Sequence, residues 1–244
     1  MITALTQPPR RLVYAASLSL LSCLIFTNIA YIRLVTSFGY DDVLREPVHV
    51  ILARFSAGGP ALIMTWALFA WSALLFSAAA VLVPRAIAVE TEWRGRTIGL
   101  IGAASGLVQA IGLLRWVFVV PALASIHLAS DAAPADRAAV EVVFTAINQF
   151  GGVALGEHVG QCLLIVWTTG VAGMLWHAGG LMVPVAMVGF ATVPLWVMAQ
   201  TELFGTVIPT APVTEAAPFA FTLWMIWLTL LAAALIGRDL QRRR

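Results

Sequence analysis

Glu157 and His158 stand side by side in the stretch Gly156-Glu157-His158-Val159-Gly160-Gln161, within a long apolar run. A carboxylate next to an imidazole is material for general acid–base work, with Glu157 and His158 as candidate catalytic residues. Gln161 follows four residues after Glu157, on the same face of an α-helix, and His158 lies about 100° round from Glu157. Asn148 precedes this stretch, and Arg115 and Asn28 lie in or beside two earlier apolar runs. These four, Arg115, Asn148, Gln161 and Asn28, are the candidate binding residues.

The elements that must carry them are membrane helices. The chain has 244 residues, 61% of them hydrophobic and 11% charged. An ordinary soluble domain carries about 25% charged residues, so the composition is that of an integral membrane protein. Net charge is +2, and the only basic run is Arg242-Arg243-Arg244. Nothing supports nucleic-acid binding. Cys23 and Cys162 both lie in apolar runs and read as small hydrophobes, not as a disulfide framework or a zinc site.

About 20 apolar residues cross a bilayer as a helix. The hydropathy pattern predicts an all-α fold of six such spans, over residues 12–34, 60–83, 98–120, 153–175, 181–200 and 217–236, forming one domain over 1–244. Arginine placement orients them. A cytoplasmic N-terminus gathers Arg10, Arg11, Arg85, Arg94, Arg96, Arg238 and the arginine tail inside, against Arg45, Arg54 and Arg137 outside. This satisfies the positive-inside rule for a bacterial inner-membrane protein with both termini cytoplasmic. The two long external connections carry amphipathic patterns, over Pro47 to Phe55 and Asp136 to Phe150, each ending in a glycine pair, Gly58-Gly59 and Gly151-Gly152. They are expected to lie as helices at the outer interface, with each glycine pair allowing the turn into the membrane. In the third span Gly102, Ser105, Gly106, Gln109 and Gly112 share a face, the pattern of close helix packing.

Depth follows from a rise of about 1.5 Å per residue: Arg115 falls roughly 9 Å outward of the middle of its span, and Glu157 roughly 10 Å outward of its own. An ionised side chain on the lipid face costs from about 2.5 kcal/mol upward. Pairing Arg115 with Glu157 inside the bundle relieves part of that. The expectation is a polar pocket in the outer half, completed by Gln161, Asn28 and His158. Histidines at 49, 127 and 158 on the outer side leave a metal or haem open, His158 with His49 being conceivable, but no ligand motif specifies one. No nucleophile elbow, P-loop or dinucleotide fingerprint occurs.

The pair Arg115-Trp116 late in the third span, the amphipathic segment after it, then Asn148 and Gly156-Glu157-His158-Val159-Gly160, together resemble the uncharacterised bacterial membrane family known as domain of unknown function 4386. The resemblance runs from the first span to the sixth. It implies a multi-pass membrane protein, leaves the activity open, and draws attention to Arg115, Asn148, Gly156 and Glu157.

Several functions compete. The residues suit binding or sensing of a small amphiphile or membrane lipid in the outer-leaflet pocket, with the external helices as a lid. They also suit a membrane enzyme acting on a lipid or isoprenoid through Glu157 and His158. A transporter or structural subunit is the third reading, with no protein partner indicated. A cavity reaching Arg115 and Glu157 favours the first two, a packed ion pair favours a structural role, and a path across both leaflets favours transport.

Overall fold

A computed structural model describes residues 8–40, 42–87 and 92–242. The described residues form helices and turns, and six stretches of helix are long and apolar enough to cross a membrane. The protein is an all-α, multi-pass membrane protein. The helices are α1 (Arg10–Phe38), α2 (Val48–Ile87), α3 (Glu92–Phe118), α4 (Val120–His127), α5 (Pro134–Ile147), a π-helix (Asn148–Val159), α6 (Gly160–Ala178), α7 (Met182–Gly205) and α8 (Ala217–Arg242). Arg243 and Arg244 of the basic tail lie outside the described residues.

The spans predicted from hydropathy are all present, and several run further. Pro121 cannot donate to the helical ladder, so the third span bends at Val119 and restarts as α4, making one apolar run from Trp93 to His127. Both amphipathic segments are helical and continuous with the span that follows. Residues 48–58 join the second span across a kink at Gly59, whose φ of 55° and ψ of −155° suit only glycine. The other glycine pair behaves differently. Gly151 and Gly152 keep negative φ, and α5, the π-helix and α6 run on as a 45-residue helix from Pro134 to Ala178. That is far longer than the roughly 20 residues a bilayer needs.

The bundle has two cores. The first, towards the end that carries the termini, is built from α1, α2, α6, α7 and α8 around Trp167, Trp227, Phe76 and Leu20. The second joins α1, α2, α3, α4 and α5 around Trp66, Trp116, Phe38 and Phe55. Large apolar side chains such as Leu18, Leu100 and Phe118 are exposed on the outside, which is where lipid chains would cover them. The small-residue face of α3 packs as the sequence indicates. A side chain at Gly102 would strike Trp167, and one at Gly106 would strike Ser77 and the Ala73 carbonyl. Ser105 donates to the Gly160 carbonyl at 2.7 Å.

The α7–α8 connection is held by a carboxylate. Glu202 Oε1 accepts from the backbone N–H groups of Ala216 and Ala217, both at 2.8 Å, at the start of α8. Those donors have no partner within the helix, and a negative charge there also favours the helix dipole. Glu202→Ala is expected to cost about 1 kcal/mol and lower the thermal midpoint in detergent, with Glu202→Gln keeping most of the stability. Equal midpoints for wild type and the alanine variant in a scanning-fluorimetry melt would exclude this role.

Candidate functional site

The site grows from a close approach of two backbones. Gly112 of α3 meets Gly151 and Gly156 of the π-helix: a methyl group added at Gly112 would lie 2.7 Å from the Gly151 carbonyl oxygen and 2.8 Å from the Gly156 Cα. One turn away, a methyl group at Gly152 would collide with the Arg115 guanidinium. Absence of side chains at 112, 152 and 156 is therefore what lets Arg115 lie between α3 and the π-helix. It does not extend along α3 to solvent; it is 9% exposed.

Arg115 is held by specific groups. Its Nη1 donates to the Gly112 carbonyl and its Nη2 donates to Asn148 Oδ1 at 3.0 Å. The negative charge of Glu157 also favours the guanidinium. The remaining nitrogen, Nε, is buried without a hydrogen-bond partner. On its other side the guanidinium lies 5.4 Å from the Trp116 ring centroid. Trp116 in turn stacks on Trp66, with centroids 4.7 Å apart and planes 8° from parallel. Phe38, Phe55 and Phe144 contact Trp116 at 5.5–5.9 Å, and Tyr40 meets Trp66 edge-on at 5.4 Å.

Both indoles of this cluster share the condition of Arg115 Nε: the Trp66 and Trp116 N–H groups are buried with no acceptor. In the other core, Trp167, Trp224 and Trp227 donate to Ala80 O, Thr168 Oγ1 and Val185 O, and Trp196 alone among the described buried indoles there has no acceptor. Buried polar groups are normally paired, and a lost partner costs about 1–3 kcal/mol each. His127 Nδ1 is also buried without a partner, so three of the five such nitrogens among the described residues lie in this one cluster.

The π-helix explains how the other candidates are distributed. Each N–H here reaches back five residues, not four, so positions four apart no longer align as they do in an α-helix. Glu157 acts on Arg115 of α3, whereas His158 and Gln161 engage α7. His158 Nδ1 lies 2.8 Å from Gln200 Oε1, and Gln200 Nε2 donates to Gln161 Oε1 at 2.6 Å. The constellation expected as one pocket is thus two arrangements on different sides of one helix. Asn28 joins neither: it is exposed on α1 and donates to the Leu24 carbonyl. His49 is exposed at the start of α2, away from His158. No group of three or more His, Cys, Asp or Glu side chains gathers among the described residues.

Sequence reasoning missed Trp66, whose only signal was one tryptophan among many in an apolar span. It also missed the latch between His127 Nε2 and Glu141 Oε1, 3.0 Å apart, which ties α4 to α5 beside the aromatic cluster. The arginine cluster is densely packed, with Trp66 and Trp116 at most 1% exposed. A concavity of about 300 Å³ lies at the opposite end, lined by Gly179, Gly180, Arg238 and Gln241 among others.

Fold and site together define a polytopic α-helical membrane protein with a buried guanidinium at the edge of an aromatic cluster. The chain belongs to the family described as domain of unknown function (DUF4386), whose model matches residues 15–231. No curated protein and no solved structure matches the chain.

The glycine contacts give a sharp contrast. A methyl group at Gly151 meets nothing within 4 Å, whereas one at Gly112 meets backbone. Gly151→Ala is expected to be neutral or mildly stabilising, and Gly112→Ala to destabilise by about 1–3 kcal/mol by forcing α3 from the π-helix. Thermal melts of the two variants test this; equal midpoints would remove the close approach as a structural requirement.

Proposed function

We propose that the protein binds the polar head of a small amphiphile or membrane lipid at the Arg115–Asn148 cluster. The reading rests on three buried, unpaired N–H donors, Arg115 Nε, Trp116 Nε1 beside it and Trp66 Nε1 on the ring stacked against Trp116. Donors without acceptors call for a ligand rich in acceptors, such as a phosphate, carboxylate or ester head, and the surrounding rings suit the adjoining hydrocarbon.

Access runs under α5. That helix buries only Val140 and Phe144, while Val142 and Val143 are exposed, so it is lightly seated over the cluster. Its ties are the His127–Glu141 contact and the Asn148–Arg115 bond. A helix with few buried contacts is the part of a fold that opens most readily. The dense packing around Trp66 and Trp116 describes the closed arrangement.

The membrane is proposed to be the bacterial cell membrane, with both termini cytoplasmic and the cluster in the outer leaflet, on the arginine asymmetry. A C-terminal fluorescent-protein fusion should fluoresce and a C-terminal alkaline phosphatase fusion should be inactive; the reverse pattern would invert the orientation.

Native mass spectrometry of protein purified in mild detergent tests the binding. Wild type should retain an amphiphile, and Arg115→Gln should lower its occupancy at least about tenfold, the loss expected for a hydrogen bond to a charged group worth about 1.5–3 kcal/mol. Glu157→Gln should change occupancy too, because its field acts on the same cation. No retained amphiphile in wild type, or occupancy unaffected by Arg115→Gln, would refute the reading.

A further inference from the structure

His158 and Gln161 form a second polar arrangement, directed to α7 and separate from the Arg115 cluster. We infer that it binds the hydroxyl head of a lipid alcohol at the bilayer-facing side of the α6–α7 pair.

The proton positions here are fixed by the amide of Gln200. Gln200 Nε2 lies 3.3 Å from the Trp196 backbone carbonyl, which can only accept, so that atom is the amide nitrogen and Oε1 is the carbonyl oxygen. Gln200 Oε1 faces His158 Nδ1 at 2.8 Å and can only accept. His158 Nδ1 therefore carries the proton, and in the neutral ring Nε2 carries a lone pair. The ring is held edge-on against Phe204, with centroids 5.3 Å apart. Gln161 is fixed in the same way, because its Oε1 receives Gln200 Nε2 at 2.6 Å, which leaves its amide N–H groups as donors.

Two atoms of opposite character remain. Among the described residues no partner is recorded for His158 Nε2, an acceptor, or for Gln161 Nε2, a donor, and neither is sealed inside the protein. Their residues are three apart on the helix. Beside them, Val159, Cys162 and Val166 form an exposed stripe at helical spacing, with Phe204 exposed across from it on α7. In a membrane bundle such a face meets lipid.

A hydroxyl group donates one hydrogen bond and accepts another, which matches this pair. A carboxylate or phosphodiester brings acceptors only, and any of these anions would set a negative charge against the Nε2 lone pair. The head chemistry is thus that of a neutral alcohol on a hydrocarbon chain, such as a long-chain or isoprenoid alcohol or a diacylglycerol.

The test uses a long-chain primary alcohol with a photoreactive diazirine in its chain, beside the methyl ether and the monoalkyl phosphate of the same chain. Protein in lipid nanodiscs is irradiated with each, and the labelled peptides are mapped. The alcohol should label residues 158–166 and 197–204 roughly three- to tenfold more than the ether, the effect of about one hydrogen bond. His158→Phe, which keeps a flat ring against Phe204, and Gln161→Leu should each bring alcohol labelling down to the ether's level. Arg115→Gln should leave it unchanged, which separates this site from the Arg115 cluster. Cys162 is exposed and Cys23 buried, so one alkylated thiol per chain confirms that each variant is folded. Equal labelling by alcohol and ether, a preference that survives both substitutions, or stronger labelling by the phosphate would overturn the proposal.

Discussion

Burying a guanidinium inside a membrane bundle is the constraint around which this structure is arranged. Arginine at the middle of a membrane helix costs about 2.5–3.5 kcal/mol on insertion scales. Hydrogen bonds to a charged donor return about 1.5–3 kcal/mol each. The Gly112 carbonyl and Asn148 Oδ1, together with the field of Glu157, are therefore of the right size to hold Arg115 in place. None of this works unless the backbones of α3 and the π-helix nearly touch, which is why Gly112, Gly152 and Gly156 matter as much as the charged residues.

The two cores solve the same problem to different degrees. Around Trp167 and Trp227 the indole N–H groups find backbone carbonyls, and the helices there act as a settled frame. Around Trp66 and Trp116 they do not, although those rings are also almost wholly buried. The frame can tolerate that cost, because each unpaired donor is worth only a few kcal/mol against the burial of two tryptophans and three phenylalanines. Three of the five buried side-chain nitrogens without a partner among the described residues thus fall together at Trp66, Arg115 and Trp116.

The π-helix divides one run of polar residues between two neighbouring helices. An α-helical reading puts Glu157 and Gln161 on one face, with His158 to the side. In the structure Glu157 faces the charge of Arg115 on α3, while His158 and, in the first turn of α6, Gln161 engage α7. Acid–base chemistry shared by Glu157 and His158 on one substrate has less to recommend it in this arrangement, since the two side chains have different neighbours. Short π segments often mark functional positions, and here the segment lies between the lightly seated α5 and the membrane-spanning α6.

By itself the sequence determined the class of protein and the six spans, and it drew attention to Arg115, Asn148 and Glu157. Composition and hydropathy act locally: a run of apolar residues must be helical and must lie in lipid wherever its neighbours sit, and a charge within such a run is costly whatever pairs with it. Partnerships were a different matter. Asn28 was expected in the pocket and faces outward on α1, because its depth was legible but its azimuth was not. Trp66 gave no signal, since stacking on Trp116 depends on how α2 crosses α3. Gln200 was visible at the end of α7, yet nothing local tied it to His158. The glycine pair at 151–152 was expected to turn the chain; tertiary structure instead uses the missing side chain of Gly152 to admit Arg115, and that of Gly156 to admit α3. Which side chains meet was decided only by the rotation of each helix about its axis, and that rotation is set by long-range packing that no single stretch of sequence contains.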